Sequence, residues 1–410
     1  QLQINEVCSD NEELLQSDDG NYYDWIEIYN NTDSQIELSD FYLSDNKDDL
    51  HKWQFSTEKI GAKSYILVFA SNSKTPVPNE QHANFKLSGD GETIYLSDGN
   101  SIIDTLEFGQ INEDYTYGRL EENSEIKAYL AKPTPRESNG NSGTIVSNYE
   151  SGYYTDEFDL KLTAAKGKKI YYTTNGDTPT EKSNLYTDGI EVEDEYEDYE
   201  YIDIPTTPSE KYNCAGSWKL PKENIPRCFI VSYRIIDNSG NWGKTYSQTF
   251  FFNNLHKLPI VSIVTDNQNL FNQDTGIYVP GSHFDPDNPC WSGNYFFSEW
   301  ERNASVSIFD NKLEIFKEDV GIRIQGGGTR ATAQKSLKFY ARKRYGINKF
   351  KNVFFKDLEV KEFNNILLRS TVSGWFQTKI KDAVTMEAVK KLKFEQTYLQ
   401  PVVVYINGNY

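Results

Sequence analysis

The chain has 410 residues, of which 37% are hydrophobic and 14% aromatic, and its formal net charge is −19. This length predicts about three domains, and the aromatic content supplies hydrophobic cores, which argues against a disordered chain. The acidic balance argues against nucleic acid and anionic membranes as partners, because like charges repel.

Four cysteines are too few for a disulfide-dense scaffold. Cys214 and Cys228 are near enough in sequence to close a short loop within one domain, whereas Cys8 and Cys290 lie far from them. None has the spacing of zinc ligands, so we expect no metal site of that kind. No apolar run approaches about 18 residues, so we predict no membrane-spanning helix.

Short segments with strand-like composition recur through the first 141 residues, separated by turns rich in Gly, Asp, Ser and Asn. They are residues 25–29, 41–43, 65–69, 93–96 and 102–103. Many short strands at regular spacing favour an antiparallel sandwich or barrel.

Motifs within these strands and turns occur in the order of one family. They are Ile-Asn-Glu at 4–6, Asp-Trp-Ile-Glu-Ile-Tyr-Asn at 24–30, residues 38–45, residues 85–96, Tyr-Gly-Arg at 117–119 and the exit Pro-Thr-Pro at 133–135. On these motifs, residues 1–141 resemble a lamin-tail domain. The resemblance implies an immunoglobulin-like β-sandwich that binds or positions a partner rather than catalysing a reaction.

Several polar residues flank the strands of this first region: Asn5, Glu6, Asp24, Glu27 and Asn30. Their oxygens are of the type that calcium prefers, which is one interpretation. The interpretation that we favour is hydrogen bonding at turns and strand ends, where Asn and Asp are common.

Residues 142–256 predict a second β-sandwich. In the segment 158–163, Phe158, Leu160 and Leu162 alternate as on one face of a single strand. The segment 169–173 follows, and Asn-Gly-Asp-Thr-Pro at 175–179 is a strong turn signal. Further strands are predicted at 229–236 and 246–252.

A family resemblance is visible here too, on Gly-Tyr-Tyr-Thr at 152–155 and on residues 170–180 and 183–186. These residues resemble the fibronectin-like C-terminal module of chitobiases, which is an accessory spacer in that family. Residues 191–228 look like an insertion into this module. We interpret its acidic run at 191–200 as a solvated loop. The alternative interpretation is a patch that binds cations or basic partners.

Residues 257–410 begin with a buried-strand pattern at 258–264. A strand at 321–325, a glycine-rich turn and a returning strand at 335–340 form a candidate phosphate cradle. Backbone N–H groups of a glycine loop can approach anionic oxygens closely. The spacing matches neither Walker A nor the glycine loop of protein kinases.

The wider pattern of this last region resembles the N-terminal part of a CotH-type (spore-coat protein H) kinase domain, from a family of atypical secreted kinases. The motifs are Pro-Ile-Val-Ser-Ile at 259–263, Gly-Ile-Arg-Ile-Gln-Gly at 321–326, Thr-Arg at 329–330, Lys-Ser-Leu-Lys at 335–338, Tyr-Gly at 345–346, residues 365–370 and residues 402–410. Thr329 stands where the family usually has Ser, and Gln334 replaces a common Lys. The resemblance implies a kinase-like α+β fold, with ATP and Mg²⁺ or Mn²⁺ as cofactors.

In kinase-like folds a strand lysine neutralises nucleotide phosphates and pairs with an acid on the next helix. Lys338 is our first candidate for this contact and Lys335 our second. Arg323 and Arg330 are further candidates for binding an anion. For each of these cations, the alternative interpretation is a solvated surface charge.

Residues 375–392 have helical periodicity, with apolar residues at three- and four-residue steps. Asp382 and Glu387 are therefore candidates for the helix acid, and a surface charge is the alternative for both.

The sequence thus predicts a mainly β chain with an α+β C-terminal part. Two immunoglobulin- or fibronectin-like sandwiches, at 1–141 and 142–256, precede an incomplete kinase-like domain at 257–410. The start at Gln1 suits a mature protein whose signal peptide has been removed. With these modules it predicts a secreted or cell-surface bacterial protein, whose oligomeric state stays open.

Two functions follow from this organisation. The base and Mg²⁺-holding aspartates of kinases lie downstream of the elements found here. We therefore expect this chain alone to be inactive, and a parent that continues past residue 410 to be an ATP-dependent protein kinase. Its sandwiches would then attach it to a substrate or surface. The alternative is a non-catalytic binding or structural protein, with the kinase-like module as a scaffold and a protein or cell-envelope glycan as partner.

Overall fold

The computed structural model describes most of the chain and divides it into two compact units. The described residues are 2–56, 59–73, 75–194, 204, 206–212, 214, 226–252, 256–352, 354–355, 358–370, 381–389, 392 and 397–410. The first unit comprises Gln1–Ser147, Leu162–Ile170 and Arg234–Lys244, and the second Asn148–Lys161, Tyr171–Tyr233 and Thr245–Tyr410. The expected mainly β fold is confirmed.

Twelve strands lie in the first part of the chain. They are β1 (Leu2–Cys8), β2 (Trp25–Asn30), β3 (Ile36–Glu37), β4 (Tyr42–Ser44), β5 (Trp53–Gln54), β6 (Lys59–Ile60), β7 (Tyr65–Phe69), β8 (Gln81–His82), β9 (Gly91–Ser97), β10 (Ile102–Gly109), β11 (Tyr117–Arg119) and β12 (Lys127–Tyr129). A six-stranded sheet has the order β12-β11-β1-β2-β7-β8, and a four-stranded sheet has the order β10-β9-β4-β5. A short 3₁₀ helix at Asn139–Asn141 follows.

These two sheets share one hydrophobic core, as in a β-sandwich. The six-stranded sheet contributes Leu2, Ile4, Ile26 and Ile28, and the four-stranded sheet contributes Leu43, Ile94, Leu96 and Leu106. The strand β2 is buried along its whole length, since its other face packs Trp25 against Leu67 and Phe69.

Two glutamates are buried side by side between β1 and β2. Glu6 and Glu27 are register partners, and both are inaccessible to solvent. Glu27 accepts hydrogen bonds from the Asn5 side chain, at 2.9 Å, and from the backbone N–H of Arg136. Glu6 accepts bonds from the backbone N–H of Thr134, at 3.0 Å, and from its hydroxyl, at 2.8 Å. The pair therefore fixes the segment that leaves the sandwich.

The structure accounts for the other polar residues of this region in the same way. The Asn30 side chain donates to the Ser34 and Gly61 carbonyls, each at 2.8 Å. Asp24 accepts the backbone N–H of Asn11 at 3.4 Å. These contacts agree with hydrogen bonding at turns and strand ends, which we favoured over calcium binding.

We predict that Glu27 makes the stability of the first unit depend on pH. Burial raises the pKa of Glu27 to about 8, although the bonds from Asn5 and Arg136 lower it. The folded state therefore holds a proton that the unfolded state releases above its ordinary pKa of 4.5. Stability should fall as the pH rises from about 4.5 to about 8, by at most about 1.4 kcal/mol per pH unit.

Urea unfolding between pH 5 and pH 8.5, on the wild type and on Glu27→Gln, checks this prediction. The variant should be less stable at pH 5, because its amide nitrogen cannot accept from the second donor, whereas the hydroxyl oxygen of the protonated acid still can. It should also show a smaller pH slope, and Glu6, whose pKa burial raises too, should supply the remainder. Equal slopes in both proteins would contradict the prediction.

Nine strands follow in the described residues of the middle of the chain. They are β13 (Ile145–Ser147), β14 (Gly152–Tyr154), β15 (Phe158–Leu160), β16 (Leu162–Ala164), β17 (Lys169–Thr173), β18 (Asn184–Leu185), β19 (Ile190–Val192), β20 (Phe229–Ile236) and β21 (Tyr246–Phe252). A five-stranded sheet has the order β14-β21-β20-β17-β18. A 3₁₀ helix lies at Glu210–Tyr212. The acidic residues 195–200 and much of the predicted insertion lie outside the described part of the chain.

The single strand predicted at 158–163 is wrong. The structure divides it into β15, which pairs with β19, and β16, which pairs with β13. Leu160 and Leu162 are both buried, but they lie in strands of different sheets. Alternation alone could not detect this division, because it continues unchanged across Lys161.

Eight strands and two α-helices lie in the part of residues 256–410 that the structure describes. They are β22 (Ile260–Val264), α1 (Asn267–Phe271), β23 (Arg302–Asp310), β24 (Leu313–Gln325), β25 (Ser336–Tyr340), β26 (Phe350–Lys351), β27 (Glu362–Phe363), β28 (Asn365–Leu368), α2 (Lys381–Val389) and β29 (Val403–Ile406), with 3₁₀ helices at Asn294–Phe296 and Gly328–Ala331. A six-stranded sheet has the order β28-β25-β24-β23-β22-β29. The helix predicted at 375–392 is α2, and the remaining residues of that range, except Leu392, lie outside the described part.

The second unit joins strands from the middle and the last parts of the chain. Phe251 of β21 packs against Phe309 of β23, with ring centroids 5.2 Å apart, and against Tyr405 of β29, at 5.4 Å. Cys228 and Ile260 belong to the same buried cluster.

The turn at 175–179 lies against α1 and the turn after β29. Asp177 accepts the backbone N–H of Asn267 at 3.0 Å, and Asp266 accepts that of Thr178 at 3.1 Å. A β-carbon added to Gly176 would lie 2.4 Å from Cγ of Asn407, so only glycine allows this approach. The predicted turn therefore also fixes tertiary structure.

The short loop proposed between Cys214 and Cys228 is wrong. Cys214 forms a disulfide with Cys290, 76 residues further along the chain, while Cys8 and Cys228 are buried and belong to no disulfide of the described residues. Sequence proximity did not identify the partner, because the fold brings Cys214 close to the loop that contains Cys290.

Candidate phosphate-binding face of the C-terminal sheet

The predicted phosphate cradle is the connection between β24 and β25. It begins at Gly326, whose φ of 129° is accessible to glycine, and continues through the 3₁₀ helix Gly328–Ala331. Trp291 covers the turn, and its ring would lie 3.2 Å from a β-carbon added to Gly328.

Lys335 lies inside this connection and does not face solvent. The residue is 5% exposed, and its Nζ donates to the carbonyls of Arg330, at 2.7 Å, and Thr332, at 2.8 Å. The ammonium also lies 4.2 Å from the ring centroid of Tyr295. Burial lowers the pKa of Lys335 well below its ordinary value. These contacts give Lys335 a structural task within the loop.

Arg330 also has a structural role in this loop. It is 7% exposed, its Nε donates to the Gly326 carbonyl at 2.6 Å, and its Nη1 donates to the Tyr295 carbonyl at 3.0 Å. Arg330 and Lys335 thus bind loop carbonyls from within, and neither side chain is directed to an external anion.

Lys338 lies on the opposite face of the sheet. Its neighbours Leu337 and Phe339 are buried in the core, so alternation places Lys338 on the other side. It is partly exposed, its Nζ lies 5.3 Å from the ring centroid of Tyr340, and it makes no ion pair with any described residue. In register it lies between Arg323 of β24 and Leu367 of β28.

Glu301 forms ion pairs with arginines on the side of the sheet where Lys338 lies. We call this side the basic face. Its Oε2 lies 2.9 Å from Nε of Arg323, and its Oε1 lies 2.7 Å from Nε of Arg342 and 2.5 Å from Nη2 of Arg344. Burial raises the pKa of Glu301, but the hydrogen bonds from the arginines outweigh burial and bring the pKa to about 2. The carboxylate is therefore charged at every physiological pH.

The two candidates for the helix acid, Asp382 and Glu387, differ in their surroundings. Asp382 of α2 lies 2.9 Å from Nη2 of Arg369, which follows β28. Its described ion pair is thus with an arginine and not with Lys338. Glu387 is exposed on the same helix.

The basic face comprises Lys338, Arg323, Arg342, Arg344 and Arg369, together with the carboxylates of Glu299, Glu301 and Asp382. Cations exceed carboxylates, so the face favours an anion, and guanidinium groups suit phosphate oxygens. Sequence analysis did not identify Glu301, Arg342 or Arg344. The Arg-Lys-Arg run at 342–344 was the available signal.

We predict unequal stability effects for substitutions of Lys335 and Lys338. Lys335→Met keeps an apolar stem against Tyr295 but leaves two buried carbonyls without their donor. It should therefore lower the free energy of unfolding by about 1–3 kcal/mol. Lys338→Ala should change it by less than about 0.5 kcal/mol, as for an ordinary surface position. Urea unfolding followed by tryptophan fluorescence measures both, and equal losses would contradict the assignment.

A chain of hydrogen bonds in the first unit has the order of a hydrolase triad. His82 Nδ1 lies 3.0 Å from Ser71 Oγ, and His82 Nε2 lies 3.0 Å from Glu80 Oε2. Ser71 is only 7% exposed, and Glu80 also accepts a bond from Ser17 at 2.6 Å. A nucleophile must be accessible to its substrate, and Ser71 is buried. We therefore interpret these hydrogen bonds as a structural crosslink.

The fold and the basic face define a class: a multidomain, mostly β protein with β-sandwich modules and, in its last part, a sheet with one face rich in arginine and lysine. No described helix has the length and apolarity to cross a lipid bilayer. No group of three described His, Cys, Asp or Glu side chains is placed to hold a metal ion.

Comparison with protein families identifies a family for each of three segments of the chain. The Lamin Tail Domain matches residues 1–110, the Chitobiase/beta-hexosaminidase C-terminal domain matches residues 149–200, and the CotH kinase protein family matches residues 322–410. The three resemblances inferred from the motifs are thus confirmed in identity and order. No curated protein and no solved structure matches the chain.

Proposed function

We propose that this chain is part of a secreted or cell-surface protein of the CotH kinase family that binds ATP on the basic face. The observation that carries the proposal is Lys338, a partly exposed lysine in register with Arg323. It lies within the segment that matches the CotH kinase family. The buried Lys335 and Arg330 support the loop that leads into β25.

The chemistry of the basic face suits the phosphates of a nucleotide. The Lys338 ammonium would neutralise phosphate oxygens, and Arg323, held by Glu301, would present a fixed guanidinium beside it. Asp382, ion-paired with Arg369, would position α2 against the end of β28. Bound ATP with Mg²⁺ or Mn²⁺ supplies the phosphoryl group for transfer in kinases.

The disulfide supports the proposed location. Disulfides persist mainly in oxidising compartments such as the cell exterior, and the Cys214–Cys290 geometry has a Cα–Cα distance of 5.4 Å, within the usual range. We propose that the sandwich modules attach the protein to a protein substrate or to a cell-envelope glycan. The domain limits 1–141, 142–256 and 257–410 are part of the same proposal.

Calorimetric titration with ATP, with and without Mg²⁺ or Mn²⁺, tests the nucleotide site. We expect the wild type to bind and Lys338→Ala to bind at least about tenfold more weakly, since a charged hydrogen bond to phosphate is lost. Lys351→Ala removes an exposed strand lysine from a different sheet and should bind like the wild type.

The outcomes of this titration distinguish the hypothesis of an ATP-binding kinase from that of a non-catalytic scaffold. Loss of binding in both lysine variants would indicate a non-specific charge effect and contradict the site. Absence of binding by the wild type at any metal concentration would favour the alternative, in which the kinase-like module is a non-catalytic scaffold.

A further inference from the structure

A cavity of about 510 Å³ lies within the second unit. Its wall carries five carboxamide side chains and one aromatic ring, and we call it the amide pocket: Asn175, Asn267, Gln268, Asn407, Asn409 and Phe271. Its volume is within the range of about 300–1,000 Å³ of small-molecule sites. Sequence analysis did not identify it, because the residues come from three distant segments.

Hydrogen bonds fix the back of the amide pocket. Asn407 donates to the Thr265 carbonyl at 2.8 Å and to Oδ1 of Asn267 at 3.0 Å, and accepts the backbone N–H of Thr265 at 2.9 Å. Asn267 donates to the Asn175 carbonyl at 2.9 Å. The wall is thus organised before a ligand binds, which lowers the entropic cost of binding.

Two other carboxamides retain hydrogen-bonding capacity. Oδ1 of Asn409 is shielded from solvent and accepts no hydrogen bond from the described residues. Gln268 is exposed, and its Oε1 accepts a bond from Asn272 at 2.7 Å, while its Nε2 donates to no described residue. The wall therefore offers an accessible, unused donor at Gln268, whereas the Asn409 oxygen is enclosed by the protein.

This chemistry fits a ligand with hydroxyl groups. A hydroxyl donates one hydrogen bond and accepts others, as a carboxamide does. Among the described lining residues, Arg227 is the only cation and none is a carboxylate, so a phosphate-rich or a cationic ligand is poorly matched to this part of the wall. Phe271 adds an apolar surface against which the C–H face of a sugar ring can pack.

We propose that the amide pocket binds a neutral saccharide unit of a larger glycan. A peptide partner is less well matched, because peptides usually pair along a strand edge or lie in an apolar groove. The inference does not require nucleotide binding, since none of the described lining residues of the pocket belongs to the basic face.

Calorimetric titration and ligand-observed NMR of the 410-residue chain with cellohexaose, xylohexaose and N-acetylchitohexaose test the proposal. We expect at least one of these neutral oligosaccharides to bind. Gln268→Ala should weaken binding about fivefold to tenfold, the value of one neutral hydrogen bond. Gln268→Trp should abolish it by filling the pocket, and its exposed position tolerates the change.

A matched control and three outcomes make the test decisive. Gln400→Ala removes an exposed glutamine outside the pocket wall and should bind like the wild type. The proposal is overturned if the wild type binds none of the three sugars, or if both Gln268 variants bind as tightly as the wild type. Tighter binding of hexa-alanine than of every sugar would also overturn it, in favour of a peptide site. Retained ATP binding in Gln268→Trp would show that the two sites are separate.

Discussion

This structure depends on one constraint: buried polar groups need hydrogen-bonding partners. A polar group removed from water without a hydrogen bond costs on the order of 1–3 kcal/mol in proteins. Lys335, Glu6 and Glu27 are all buried, and each meets this requirement by binding backbone groups of a neighbouring segment. The same bonds therefore satisfy these side chains and determine where the loop after β24 and the exit of the first sandwich lie.

The last sheet shows how one strand and the loop before it place neighbouring lysines in different environments. Successive side chains of a strand point to opposite faces, so β25 buries Leu337 and Phe339 while it leaves Lys338 partly exposed. Lys335 precedes the strand and is enclosed by Tyr278 and Tyr295. Two lysines that are three residues apart thus have different environments, and only Lys338 is available to an external anion.

Glu301 gives the basic face its order. A carboxylate that is 4% exposed receives three guanidinium groups, which would otherwise repel one another. Arg323 is held with its side chain only 17% exposed, next to Lys338 in register. Fixing these cations in advance lowers the cost of ordering them around a bound anion.

The sequence by itself determined the kinds of module, their order and most of the strands. The strand-like segments at 65–69, 169–173, 229–236 and 246–252 correspond to β7, β17, β20 and β21. Local composition was sufficient there, because strand alternation and turn chemistry are short-range properties. The motifs named the three families for the same reason, since each motif is continuous in sequence.

Tertiary structure alone decided which polar residues are buried and which partners they have. Lys335 and Lys338 look alike in sequence, Cys214 pairs with Cys290 rather than Cys228, and residues 158–163 divide between two sheets. The amide pocket likewise combines Asn175, Gln268 and Asn409 from distant segments. Each outcome depends on contacts between residues far apart in the chain, and local patterns do not encode those contacts.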